Sequence, residues 1–257
     1  MRTSSLLLSP VTINAPVEIS HISTQNTFIP LTADENNETV GEMTNSLNAI
    51  LNHPQLVMKD RASVEMKLKK IISGGPDKLM VISDFDYTLS RSEDSDGKKC
   101  WTTHGVFDNG ADSVYPGLGE KFKALKNKYY PIEFDPTLSM EEKTPYMEKW
   151  WSTSHNYIVE AGFNRSTIEN FVRNSKITLR DQTEPWMLKL RDLGVPLVVF
   201  SAGIGNVIEI FFKQKFEKIL TNIHIISNMM LFNNQVCSIQ SANHSNKALS
   251  LKNTYFF

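Results

Sequence analysis

The chain has 257 residues with 40% hydrophobic and 21% charged content, and its 27 basic and 28 acidic residues leave a net charge of −1. This is the balance of an ordinary globular protein, with room for one large domain or a core carrying an insert. It excludes an electrostatic case for nucleic acid or an anionic membrane, and no apolar run reaches the length of a bilayer-spanning helix.

Residues 1–38 are rich in Ser, Thr, Asn and Pro without periodicity, and a flexible extension is expected there. A three-leucine run follows Arg2, shorter than the roughly 7–15 apolar residues of a secretory core. The two cysteines, Cys100 and Cys237, lack metal-type spacing and suit a reduced, cytoplasmic setting. From Asp60, the spacing of Val64, Met66, Leu68, Ile71 and Ile72 predicts an amphipathic helix that Gly74, Gly75 and Pro76 stop. Leu79–Ser83, nearly all apolar, predicts a buried strand, and residues 91–110 read as loop.

A basic surface helix is expected over Gly119–Tyr130, and a longer one from Ser139, where Glu142 three residues on completes a capping box. Further helices are expected over Asn164–Asn174 and Gln182–Leu193. Val195–Gly203 and Asn222–Asn228 read as strands joined by a crossover helix, which implies a right-handed parallel βαβ unit. The predicted class is therefore α/β. A parallel-sheet core would comprise residues 39–97 and 184–257, with a helical cap inserted at 98–183.

Two stretches carry chemistry. Asp84 and Asp86 end the first strand, and in parallel α/β sheets ligands bind beyond the C-terminal strand ends. Strand alternation would turn both carboxylates to one side and Phe85 into the core. Like charges so close raise one pKa or call for a hard divalent cation between them, although an Asp-x-Asp also serves simply to close a turn. Phe200-Ser201-Ala202-Gly203 ends the next strand. A hydroxyl, two small residues and a following helix N-terminus favour phosphate, and the same pattern also suits a plain serine cap with a glycine turn.

Together these residues resemble the haloacid dehalogenase superfamily. ISDFDYTLSR, KYYPIEFDP, EEKTPYMEKWWSTSH, VVFSAGIGNVIE and IHIISNMM are more closely similar to the cytosolic 5'-nucleotidase type III family. That family includes pyrimidine 5'-nucleotidases and a relative acting on 7-methylguanosine monophosphate. The resemblance implies a haloacid dehalogenase-like Rossmannoid core and Mg²⁺-dependent hydrolysis of a nucleoside 5'-monophosphate. Asp84 would be the nucleophile forming an aspartyl-phosphate, and Asp86 the general acid and base. Mg²⁺ would lie on the Asp84 carboxylate and the Asp86 carbonyl. Ser201 and the Ala202 N–H would hold phosphate oxygens, with Lys247 offsetting their charge, unless that lysine is merely solvated.

Glu133 and Ser154 would contact the nucleoside, their alternatives being a loop carboxylate and a surface hydroxyl. Trp151 would stack on the base and suits a cationic methylated purine, or is a plain core aromatic. The implied partner is a small nucleoside monophosphate met by a monomer, with no nucleic acid and no membrane.

Family members continue past the Asn-Lys segment to aspartates that complete the metal site, whereas no aspartate follows Asp192 here. The expected sheet is therefore incomplete at the C-terminus, with Leu79–Ser83 as an exposed apolar edge. The alternative function is a catalytically impaired nucleotide-binding or interaction homologue. A generic sugar phosphatase of the same superfamily is a third reading, against which the Trp151 and Glu133 context argues.

Overall fold

The computed structural model describes residues 38–232 and 237–240, and the chain divides into two compact units between Glu65 and Met66. The expected flexible extension lies outside the described residues, save for Glu38. In the first unit, helix α1 (Glu38–Leu51) was not foreseen from the sequence. Arg61 donates to the Leu51 carbonyl and, at 2.8 Å, to Asn52 Oδ1. The expected helix from Asp60 is α2 (Arg61–Gly74), where Asp60 Oδ1 accepts the Ser63 N–H at 3.0 Å.

The second unit holds a four-stranded sheet in the order β1-β2-β3-β4. These strands are β1 (Val81–Ser83), β2 (Leu197–Ile204), β3 (Ile223–Phe232) and β4 (Cys237–Gln240). The β1–β2 and β2–β3 pairs are parallel, with Val81 beside Leu197 and Leu197 beside Ile223, and β4 runs antiparallel to β3. The first strand is shorter than Leu79–Ser83, because the Leu79 N–H is spent on the Pro76 carbonyl of the preceding turn. The third is longer than Asn222–Asn228, because Met229–Phe232 find partners in β4. Among the described residues β1 is an edge, and Met80 and Ile82 are 56% and 61% exposed. Leu79–Ser83 is therefore not the buried strand expected from its apolar run, since one side of β1 has no partner strand among the described residues.

The crossover helix α8 (Gly205–Phe216) follows β2 directly. Its Phe211 and Phe212 take the Phe85 ring edge-on at 5.8 and 5.6 Å, next to the buried Leu197 and Val199 of β2. Residues 91–110 are not all loop. Helix α3 (Gly105–Gly110) forms there, started by Thr102 Oγ1 accepting the Gly105 N–H and anchored by buried Val106 and Phe107.

Helices α4 (Leu118–Glu133) and α5 (Met140–Glu160) pack antiparallel, with Phe122 against Tyr157 and Tyr129 stacked on Trp150. α4 runs past Tyr130 through Pro131, which in the last turn forfeits only one ladder bond. The capping box of α5 is formed, with Ser139 N–H on Glu142 Oε2 at 2.8 Å and Glu142 N–H on Ser139 Oγ at 3.3 Å. α6 (Arg165–Arg173) and α7 (Thr183–Asp192) complete the unit. Among the described residues no helix is long and apolar enough to cross a membrane.

Candidate active site

The site begins where β1 stops. Asp84 is still extended, and the chain turns after it. Phe85–Leu89 wind into one wide turn in which the Ser90 N–H donates to the Phe85 carbonyl at 3.0 Å. Phe85 is fully buried and pins this turn to the core. Regular strand alternation therefore does not set the two acids, and the turn leaves Asp84 exposed and Asp86 partly buried. Thr88 Oγ1 donates to Asp84 Oδ2 at 3.2 Å, on the exposed side.

Asp86 points inward and is held at both oxygens. The Thr103 N–H reaches Oδ1 at 2.9 Å and the Thr103 hydroxyl reaches Oδ2 at 2.7 Å. Burial pushes the Asp86 carboxyl up to about 6, the Thr103 hydrogen bonds oppose that rise, and the Asp84 charge adds to it. Thr103 is itself fully buried, and its Oγ1 accepts the Ile204 N–H at 3.1 Å.

The second motif is a bulge at the end of β2, where the β3 register shifts between Phe200 and Ile204. Ser201 is buried, and its Oγ accepts the Gly203 N–H at 3.0 Å. Asn228 Nδ2 donates to the Ala202 carbonyl and Ser227 Oγ to the Gly203 carbonyl, both at 2.8 Å. Gly203 is where the motifs meet. A methyl group there would overlap the Thr103 hydroxyl and stand 2.9 Å from Asp86 Oδ2 and 3.1 Å from Ser201 Oγ. The acid and the small-residue turn thus face one locus, beside the N-terminus of α8.

The remaining expected residues lie on the α4–α5 pair. Glu133 closes α4; burial raises its carboxyl, Lys143 opposes this, and Lys143 Nζ donates to the Glu133 main-chain carbonyl at 2.9 Å. Trp151 and the buried Ser154 share a helical face of α5 with buried Met147 and Ile158. His155, next to Ser154, stacks on His104 at 6.1 Å with the rings 10° from parallel. His104 follows Thr103, so this ring pair joins α5 to the clamp on Asp86. Burial keeps both imidazoles neutral, pushing His104 down to about 4 and His155 below its usual value. Lys247 lies outside the described residues.

For a divalent cation, the described donors are the Asp84 carboxylate and the Asp86 main-chain carbonyl, because both carboxylate oxygens of Asp86 are taken by Thr103. Among the described residues, no three or more His, Cys, Asp or Glu side chains gather as a metal set. The Asp84 carboxylate, which also accepts from Thr88, and one carbonyl would hold Mg²⁺ only together with several waters and a substrate phosphate. Thr103 was missed in the sequence. Thr-Thr-His carries no motif, and only Thr102 before Gly105 hints that a helix starts there.

A mostly parallel α/β sheet with an acid pair past one strand tip and a Ser-Ala-Gly bulge at the next is the arrangement that the resemblance to the haloacid dehalogenase superfamily leads one to expect. Residues 87–252 match the pyrimidine 5'-nucleotidase (UMPH-1) family, and the chain belongs to that family. It is 53% identical over 186 residues to a Caenorhabditis elegans protein assigned by name to cytosolic 5'-nucleotidase 3, covering 72% of this chain and 50% of that one. It is 36% identical over 178 residues to the human 7-methylguanosine phosphate-specific 5'-nucleotidase, covering 69% and 58% respectively. The chain thus spans between 50% and 58% of the length of these relatives. Among solved structures, cytosolic 5'-nucleotidase IIIB bound to cytidine is similar at 29% identity and a TM-score of 0.67, covering 77% of this chain and 65% of that one.

Proposed function

We propose that this chain carries the nucleophile, the acid–base group and the phosphate cradle of a cytosolic, monomeric, Mg²⁺-dependent 5'-nucleotidase. Residues 39–97 and 184–257 form its core and residues 98–183 its cap. The observation that carries the reading is the close packing of Asp86 Oδ2, Thr103 Oγ1 and Ser201 Oγ around Gly203, which sets the acid turn and the Ser-Ala-Gly turn side by side at the strand ends. No methyl group fits at that junction, so the phosphate would be held beside it, toward the exposed Asp84. Family membership and the names of the relatives support it.

An Asp84 oxygen attacks phosphorus, and the bond from phosphorus to the ribose O5' breaks as Asp86 delivers its proton there. Asp86 then takes a proton from water, whose oxygen displaces Asp84 and releases phosphate. The raised pKa of Asp86 suits a group that must both give and accept a proton near neutrality. Ser201 and the Ala202 N–H bind the phosphate oxygens, and Lys247 offsets their charge. Bound Mg²⁺ would neutralise charge on the transferring group from its place on Asp84 and the Asp86 carbonyl.

Glu133, Trp151 and Ser154 hold the nucleoside. The substrates are 7-methylguanosine monophosphate, pyrimidine monophosphates such as cytidine monophosphate, or both. Phosphate release from each by the wild type and by Asp84→Asn tests the proposal, and equal rates for the two proteins would remove it. That only one carboxylate stands among the described cation donors favours a second reading, nucleotide binding without turnover. Calorimetric binding of either nucleotide with no phosphate released would select that one.

A further inference from the structure

The turn that carries the acids is not self-supporting. Tyr87 holds φ 61° and ψ 8°, a left-handed conformation that a non-glycine residue keeps only when its surroundings over-determine it. Two side chains do so. Ser90 Oγ accepts the Tyr87 N–H at 2.9 Å. From the other side, Arg180 donates through Nη2 to the Tyr87 carbonyl at 2.7 Å and through Nε to the Thr88 carbonyl at 2.9 Å.

The main chain places that guanidinium. The Arg180 N–H donates to the Leu89 carbonyl at 2.9 Å, Arg91 N–H to the Thr178 carbonyl at 2.8 Å, and Ser90 bridges Leu179. Arg180 thus fixes the Tyr87–Thr88 and Thr88–Leu89 peptides, which begin one residue beyond Asp86. Both involve Thr88, whose hydroxyl is bound to Asp84. The neighbouring Arg91 cannot substitute, being bound to the Leu179 carbonyl and Asp181. Arg180 is exposed, so the core does not depend on it for packing.

From this we infer that Arg180 is a positioning residue for the Asp84–Asp86 pair: a forked donor that locks the left-handed turn and so sets the spacing of nucleophile and acid. The inference rests on the nucleotidase reading above. A lysine cannot reproduce it, because one ammonium does not span two carbonyls in a fixed plane.

The test compares phosphate release from cytidine and 7-methylguanosine monophosphates by the full chain, Arg180→Ala and Arg180→Lys, with Mg²⁺ present. A small displacement of reacting groups costs on the order of 10- to 100-fold in rate, and that loss is expected in kcat for both variants. KM should stay within about threefold, because binding groups are untouched. Millimolar guanidinium ion should restore part of the kcat of Arg180→Ala and leave Ser201→Ala unchanged. An Arg180→Ala protein that turns over like the wild type, or one whose loss guanidinium does not selectively repair, overturns the inference. If the alanine variant does not fold, the lysine variant decides alone, and wild-type kcat in it overturns the inference. A wild type that releases no phosphate removes the nucleotidase reading first and this inference with it.

Discussion

Thr103 grips Asp86 by both oxygens, N–H to Oδ1 at 2.9 Å and hydroxyl to Oδ2 at 2.7 Å, while its Oγ1 accepts the Ile204 N–H. One threonine therefore ties the acid of the β1 turn to the Ser-Ala-Gly turn of β2. Hydrogen bonds in such a chain polarise one another, so the acid's orientation and basicity depend on the position of the β2 turn.

Thr103→Val keeps the shape and removes the hydroxyl. Hydrogen bonds to the ionised carboxylate lower its pKa, so the Asp86 pKa should rise above about 6 in the variant, followed by carboxyl ¹³C resonance against pH. The Ile204 N–H also loses its acceptor, which costs about 1–3 kcal/mol of stability. Thr103→Ser should behave as the wild type in both measurements. A valine variant whose Asp86 carboxyl titrates as in the wild type would show that the hydroxyl does not hold this pKa down.

Gly203→Ala puts a methyl group against the Thr103 hydroxyl and Asp86 Oδ2. Phosphate release should fall by roughly 100-fold or more as the acid is displaced. The circular dichroism of the helices should be unchanged. Ala202→Gly, one residue earlier on the exposed side, should retain most activity because it adds no atom to the shared space.

Asp108 on α3 tests the pH dependence of stability. Burial pushes its carboxyl up to about 6, with Lys126 opposing. The folded state thus binds the proton more tightly than the unfolded chain. The stability this contributes is complete below pH ~4 and is lost as pH rises through about 6. Asp108→Asn removes the ionisation, so its thermal midpoint should exceed the wild type's at pH 8 and converge with it near pH ~4. His104, pushed the opposite way, is common to both proteins and cancels in the difference. A constant gap at all pH values would show that Asp108 is not the group responsible.

Trp151 separates the candidate bases. Stacking on a cationic methylated purine gains cation–π attraction of roughly 0.5–2 kcal/mol that a neutral pyrimidine lacks. Trp151→Leu should lower kcat/KM for 7-methylguanosine monophosphate by about 2- to 30-fold more than for cytidine monophosphate. Equal losses on the two substrates would place the indole in the cap's packing and not against the base.

What could be read from the residues was what repeats or caps locally. The Ser139–Glu142 box, the Asn164 cap on Thr167 N–H and the apolar strand of Leu197–Phe200 depend on neighbours within a few positions, and the chain folds there as its spacing predicts. The acid pair and Ser201 were also legible, because each stands at the end of an apolar run. Thr103 and Arg180 were not. Their partners lie 17 and more than 90 residues away, so no local pattern marks them. The left-handed Tyr87 hid the turn for a related reason, since tertiary bonds and not a glycine maintain it. Helix α3 escaped because it is only six residues long.

The hydroxyl of Ser201 has a consequence for the ionic form of whatever enters. Its oxygen receives the Gly203 N–H on one lone pair, and the hydroxyl proton remains to be offered. Such a donor bonds more strongly to a charged oxygen than to one that carries its own hydrogen or a methyl group. The cradle should therefore take a monoester as the dianion, and methyl esters capping one phosphoryl oxygen should bind poorly even where the nucleoside half fits.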